Sequence, residues 1–241
     1  MESSEEKKKK NKLDDFELND LSYEEAVNLD KRNLVRIYWS LLKREHRIIF
    51  TFFIWNDYNL STVKISRFIF LLATDIAMNV FFFSDATMHK IFLDYGKYNF
   101  VQQIPQIIYS SIISQIVEVF LCFLSLTDKH IYEIKSLNIK ILDENNIKTI
   151  KDIFKLIKRK LLCYWLFTFI VFLGYWYVVA CFCAVYPNTQ MIFLKDCLMS
   201  ILLGFLYPFI IYTFPSALRK CALGCKNNNC LYKVSDVIPF F

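Results

Sequence analysis

Residues 161–185 read LLCYWLFTFIVFLGYWYVVACFCAV, 25 residues without one charge. A helix rises ~1.5 Å per residue, so ~20 such residues cross a ~30 Å hydrocarbon core. A soluble helix of this length would carry a polar face, and this one has none. Three more apolar blocks follow the same logic, at roughly 65–84, 104–126 and 197–214. The expected fold is therefore all-α, with four transmembrane helices. Pro105 falls near the first turn of the second span, where its missing N–H costs little. Tyr186-Pro187-Asn188 stops the third span. Pro208 should kink the fourth, and Pro215 should end it.

Orientation follows from Lys and Arg. Thirteen lie before or entering the first span, two in 85–103, nine in 127–160, one in 186–196 and four in the tail. Alternate segments thus hold 26 against three. That asymmetry places both termini and the 127–160 loop in the cytosol. The first 30 residues are polar and lack the apolar core of a signal peptide, so the first span is expected to drive insertion.

The remaining segments divide by pattern. Residues 1–30 read as a disordered tail of mixed charge, with a capping box at Ser22 and Glu25. Residues 31–64 hold a basic amphipathic helix in which Leu34, Ile37, Tyr38, Leu41 and Leu42 share one face. It is expected either to lie on anionic lipid or to pack on the protein itself. The membrane domain is 65–215, and it includes a cytosolic helical hairpin at 127–160. There Ile147, Ile150, Phe154, Ile157 and Leu161 form a seam, after a turn at Asp143-Glu144-Asn145-Asn146. Residues 216–241 form a cysteine-bearing cytosolic tail.

Two acids at membrane depth carry the sharpest chemical signal. Asp75 sits mid-span with Asn79 one turn on, and Ser111, Gln115 and Glu118 share a face of the second span. A central Asp costs ~2.5–3.5 kcal/mol on insertion scales, so it should face the bundle or water. Asp75, Asn79, Gln115 and Glu118 then form either a cation or proton path or hydrogen-bonded glue, the latter worth ~0.6–2 kcal/mol per group. Arg67 is expected to snorkel toward the interface.

Cysteines divide by position. Cys181, Cys183 and Cys197 flank one short outer loop, where a lumenal disulfide or free thiols would both fit. Cys221, Cys225 and Cys230 are juxtamembrane and suit lipidation. No nearby histidine completes a zinc set, and Asp85 with His89 supplies only two ligands, so no metal is expected. Four glycines are too few for a nucleotide loop or a selectivity filter, and no cofactor is expected. Ser200 and Gly204 form a small-residue pair that favours close helix approach, as does Gly174. With a net charge of +6 beside apolar blocks, the expected partners are the anionic cytosolic leaflet and other membrane proteins or further copies, not nucleic acid.

The phrases YWSLLKREHRIIFTFF at 38–53, DATMHKIF at 85–92, CFCAVYPNTQ at 181–190 and CLYKVSDVIPFF at 230–241 resemble uncharacterised multi-pass membrane proteins of unicellular eukaryotes. The resemblance runs from about Leu18 to the C-terminus. It implies membrane localisation and no particular activity. Three functions follow as expectations: a structural, interaction or accessory subunit; an oligomeric cation or proton conduit using Asp75 and Glu118; and a lipid-acting enzyme. The last lacks a recognisable nucleophile–base pair.

Overall fold

The computed structural model describes residues 13–55, 57–95, 97, 99–136, 144–224 and 228–237. Among them all regular structure is helical: α1 Tyr23–Leu29, α2 Leu34–Glu45, α3 Arg47–Phe53, α4 Ser61–Phe82, α5 Asp85–Leu93, α6 Phe100–Ser125, α7 Asp128–Ser136, α8 Glu144–Val185, α9 Gln190–Ile211, α10 Thr213–Gly224 and α11 Asn229–Val237. Four of them, α4, α6, α8 and α9, lie in the stretches long and apolar enough to cross a membrane. The chain forms two compact units, one of residues 1–53 with 205–241 and one of 54–204.

The larger unit is built on α4. Asn59 Oδ1 accepts from the Thr127 backbone N–H at 2.8 Å, Arg67 Nη1 donates to Cys122 Sγ at 2.7 Å, and Ser110 Oγ lies 3.3 Å from Asn79 Oδ1. α6 therefore descends as α4 climbs. α8 runs parallel to α4: the Tyr164 hydroxyl donates to Ser66 Oγ at 3.0 Å, and Phe83 meets Phe182 edge-on with centroids 5.5 Å apart. Val63, Phe70, Leu71, Leu121 and Tyr164 form one buried cluster along these helices. Phe83, Phe182, Ile192, Phe193 and Cys197 form a second at the far end of α4. Ser84 caps α5 there by accepting from the Thr87 N–H. At the near end Lys64 is buried, and its Nζ donates to the Ile54 carbonyl at 2.6 Å and to Asp57 Oδ1 at 2.7 Å.

Several boundaries differ from the sequence reading. α4 and α6 each begin four residues early, so Pro105 lies inside α6 rather than at its first turn. α8 runs unbroken through 42 residues, ~63 Å at the helical rise, twice what a bilayer needs. α6 does not extend past Ser125, since Leu126 and Thr127 turn the chain before α7. The turn expected at Asp143-Glu144-Asn145-Asn146 starts in residues outside those described. α9 begins at Gln190, seven residues before the expected fourth span, because Pro187 and the Thr189 hydroxyl, bonded to the Tyr186 carbonyl, start a helical turn immediately after α8. Among the described residues nothing lies within 4 Å of a Cβ added at Gly174 or Gly204, so no close helix approach there uses them.

The smaller unit joins the two ends of the chain. The described part of the tail, 13–30, is folded: Glu17–Asn19 form a 3-10 turn, and α1 carries the Ser22–Glu25 capping box. Ile37, Leu41 and Leu42 of α2 bury against Tyr212, Phe209 and Leu223. Three of the five residues expected to face lipid or protein are thus covered by the chain's own C-terminal segment, and Leu34 stays exposed. α9 ends at Ile211, one turn after Pro208, and Pro215 sits in the first turn of α10 rather than ending a span. The carbonyls freed at this break find side-chain donors: Tyr38 OH reaches the Phe209 carbonyl at 2.9 Å, and Thr213 Oγ1 the Ile210 carbonyl at 2.6 Å.

Candidate functional site

A helix in hydrocarbon satisfies its own backbone, so what matters is where side chains leave polarity over. In the larger unit they do so along facing stripes of α4 and α6. Thr74, Asp75 and Asn79 are buried on α4. Thr74 Oγ1 donates back to the Phe70 carbonyl at 2.9 Å, and Asn79 Nδ2 to the Asp75 carbonyl at 2.8 Å. On α6 the buried polar residues are Gln103, Gln106, Ser110 and Ser114, at helical spacing of three, four and four, and Ser125 at its end. Gln106 Nε2 donates to the Asn79 carbonyl at 3.4 Å. Ser110 Oγ also lies 3.0 Å from the Ile107 carbonyl, so its single proton serves that oxygen or Asn79 Oδ1.

The other spans reach the same level. Tyr175 of α8 hydrogen-bonds Thr74 and feels the charge of Asp75. Asp196 of α9 is fully buried, and its carboxylate and that of Asp75 both act on the thiol of Cys197. Asp75 and Asn79 are both in the interior. Gln115 and Glu118 are only half-buried, beside the α6 stripe rather than on it. In the antiparallel register Glu118 comes level with roughly residue 70, more than a turn from Asp75. Sequence reasoning missed Asp196 by reading Lys195-Asp196 as loop; the apolar run Met191–Leu194 just before it was the available signal. It missed the Gln103–Ser114 stripe by taking the adjacent face of Ser111, Gln115 and Glu118 as the inward one, and it left out Gln103 by starting the second span one residue after it.

Arg67 does not snorkel. It is 4% exposed and directed at Cys122. Cys183 and Cys197 pack in one aromatic cluster as free thiols, and Cys181 is an exposed free thiol. Cys221 and Cys230 are likewise exposed free thiols, while Cys225 lies outside the described residues. Asp85 is occupied as an acceptor for the Tyr186 hydroxyl at 3.2 Å. Among the described residues, no group of three His, Cys, Asp or Glu is placed to hold a metal ion.

The smaller unit has a different polar interior. Arg32 grips Asp30 through Nε–Oδ1 at 2.8 Å and Nη2–Oδ2 at 2.7 Å, and its other donors meet Asn19 Oδ1 and the Asp15 carbonyl. Burial alone pushes the Asp30 carboxyl up, but the Arg32 hydrogen bonds and charge outweigh it and hold the carboxyl below its usual range. Arg219, also buried, donates to the Leu18 and Asn19 carbonyls at 3.1 and 2.9 Å and to the Tyr232 hydroxyl, and its guanidinium stacks on the Tyr232 ring. His46 is 1% exposed between Phe205 and Phe209. Its Nδ1 accepts from the Ile49 N–H, which leaves Nε2–H to donate to the Phe205 carbonyl at 3.2 Å. Burial lowers its pKa, partly offset by that carbonyl.

No protein-family model, no curated protein and no solved structure matches this chain.

Proposed function

We propose that this chain is a four-span membrane protein whose both ends lie in the cytosol, where it acts as a structural, interaction or accessory subunit. The observation that carries the reading is the smaller unit itself. Residues 18–19 are tied to Arg219 and residue 21 to Tyr232, so the N- and C-terminal segments form one module. A module made of both ends requires them on one side of the membrane, and hence an even number of crossings. The strong excess of Lys and Arg in the same alternate segments supports a cytosolic side for them.

The working surface is the outward side of this module. α2 is apolar on two sides. One buries Ile37 and Leu42; the other leaves Val35 and Trp39 exposed beside Arg36 and Lys43. Exposed apolar groups rimmed by cations suit a partner protein or an anionic headgroup layer. The lysine-bearing start of α8 exposes Ile147, Phe154 and Leu156 in the same manner. A photo-reactive residue at Val35 or Phe154, activated in native membranes, should give a discrete protein adduct that a glutamate at the neighbouring Trp39 or Leu156 removes. Adducts with lipid alone at both positions would overturn the subunit reading.

A further inference from the structure

The start of α8 and the span that follows present one continuous face. Between Asn145 and Lys160 the helix carries six cations and a single acid, Asp152. Five of the cations, Lys148, Lys151, Lys155, Lys158 and Arg159, fall on one stripe about 100° wide, at ~100° of turn per residue. All five are exposed, and among the described residues none of them forms an ion pair. The stripe runs on into the span as Leu162, Leu166, Phe169, Leu173 and Trp176, each more than half exposed. The opposite side of the helix is the packed one, with Tyr164, Thr168 and Phe182 buried. The helix is unbroken between the two halves of the stripe. A molecule lying along it therefore meets an apolar surface on one half and positive charge on the other.

We infer that this face binds an anionic phospholipid, with its acyl chains along residues 162–173 and its headgroup held by Lys155, Lys158 and Arg159. The inference rests on α8 alone and does not depend on the subunit reading. Height selects the cations. The headgroup layer is ~5–8 Å thick on each side of the hydrocarbon. At the helical rise, Arg159 and Lys158 stand ~3–5 Å beyond Leu161, where the uncharged run begins, and Lys155 stands ~9 Å beyond it. Lys151 and Lys148 stand ~15–20 Å out, clear of the headgroups, and add only screened attraction. Lys160 is turned aside: its Nζ lies 3.3 Å from His130 Nε2 and 4.9 Å from the centre of the Phe123 ring. Charge selects the occupant. Cations crowded beside the end of a span attract anionic lipid, whereas a zwitterionic headgroup brings its own ammonium to them. A second copy packed in parallel would set like charges face to face. A soluble phosphate would engage the cations and leave the apolar half of the stripe unused.

The test uses the full-length chain in vesicles of phosphatidylcholine and phosphatidylserine at four to one, with a photo-reactive residue in place of Leu162. A second preparation carries that residue in place of Ile69, which is exposed on α4 toward the same end of the helices. At position 162 the ratio of phosphatidylserine to phosphatidylcholine adducts should exceed that of the vesicle about fivefold, roughly the effect of one cation near an anionic surface. At position 69 it should match the vesicle. Lys155→Gln, Lys158→Gln and Arg159→Gln together should bring position 162 down to the vesicle ratio. The inference is overturned if the ratio at 162 equals that of the vesicle, or is raised equally at 69. It is also overturned if the glutamine variant leaves the ratio raised, or if the adduct at 162 is a second copy of the chain. Should the glutamine variant fail to fold, salt raised from 50 to 500 mM must lower the ratio at 162 in the unsubstituted stripe. An unchanged ratio there overturns the inference equally.

Discussion

Apart from the buried Lys64–Asp57 pair at the near end of α4, the two units bury polarity differently. In the unit formed by the chain ends, buried charges are matched by fixed partners: Arg32 with Asp30, and Arg219 with two carbonyls and a phenol. In the unit that carries most of the spans, buried polarity is mainly hydroxyl and amide, and much of it bonds to its own helix. Thr74, Ser111, Ser125 and Thr168 all donate to the carbonyl four residues back. The first arrangement suits a chain surrounded by water, where apolar burial drives folding and a misplaced charge is heavily penalised. The second suits lipid, where helices arrive already formed and polar contacts add only modest glue.

That contrast can be broken by substitution. Arg32→Ala leaves the Asp30 carboxylate buried without its bidentate partner, and should destabilise the smaller unit by ~3–5 kcal/mol. Amide hydrogen exchange across Tyr23–Glu45 would report it as early opening. Tyr232→Phe removes a hydroxyl that accepts from Arg219 and donates to the Leu21 carbonyl at 3.0 Å. It should cost ~1–3 kcal/mol by the same readout. Asn79→Ala, within the spans, should cost only ~0.6–1.7 kcal/mol in the detergent melting midpoint. Thr168→Val should lie near zero, because its hydroxyl serves only carbonyls of its own helix. If Asn79→Ala outweighs Arg32→Ala, the contrast is wrong.

His46 gives a test by pH. Its folded pKa is held below the ordinary 6.5 by burial. The unfolded chain then takes up a proton first as pH falls, so the smaller unit should lose stability below about pH 6.5 and level off once the folded ring also protonates. His46→Phe should remove that dependence, measured by hydrogen exchange of Arg47–Phe53 at pH 7.5 and 5.5.

The number and approximate places of the spans were legible because charge-free runs of ~20 residues leave a chain few alternatives. Asp75 and Asn79 were legible because a polar side chain inside such a run must face inward. The stripe on α6 was hidden by a one-residue difference in which face turns toward α4: Ser110 and Ser114 are buried, while their neighbours Ser111 and Gln115 are only half-buried. Periodicity places polar residues on a common face but does not say which face packs. The folding of residues 13–20 was hidden for another reason. Their partners, Arg32, Ser40, Arg44 and Arg219, are 13 to 201 residues away, and no local pattern announces them.

Sealed microsomes carrying the chain with an epitope tag at each end, and a cysteine introduced by Asn188→Cys, test the even-crossing arrangement directly. Protease added outside should remove both tags, while residue 188 should resist an impermeant maleimide until the membrane is opened. Cleavage of one tag with protection of the other, or labelling at 188 in sealed vesicles, would contradict it.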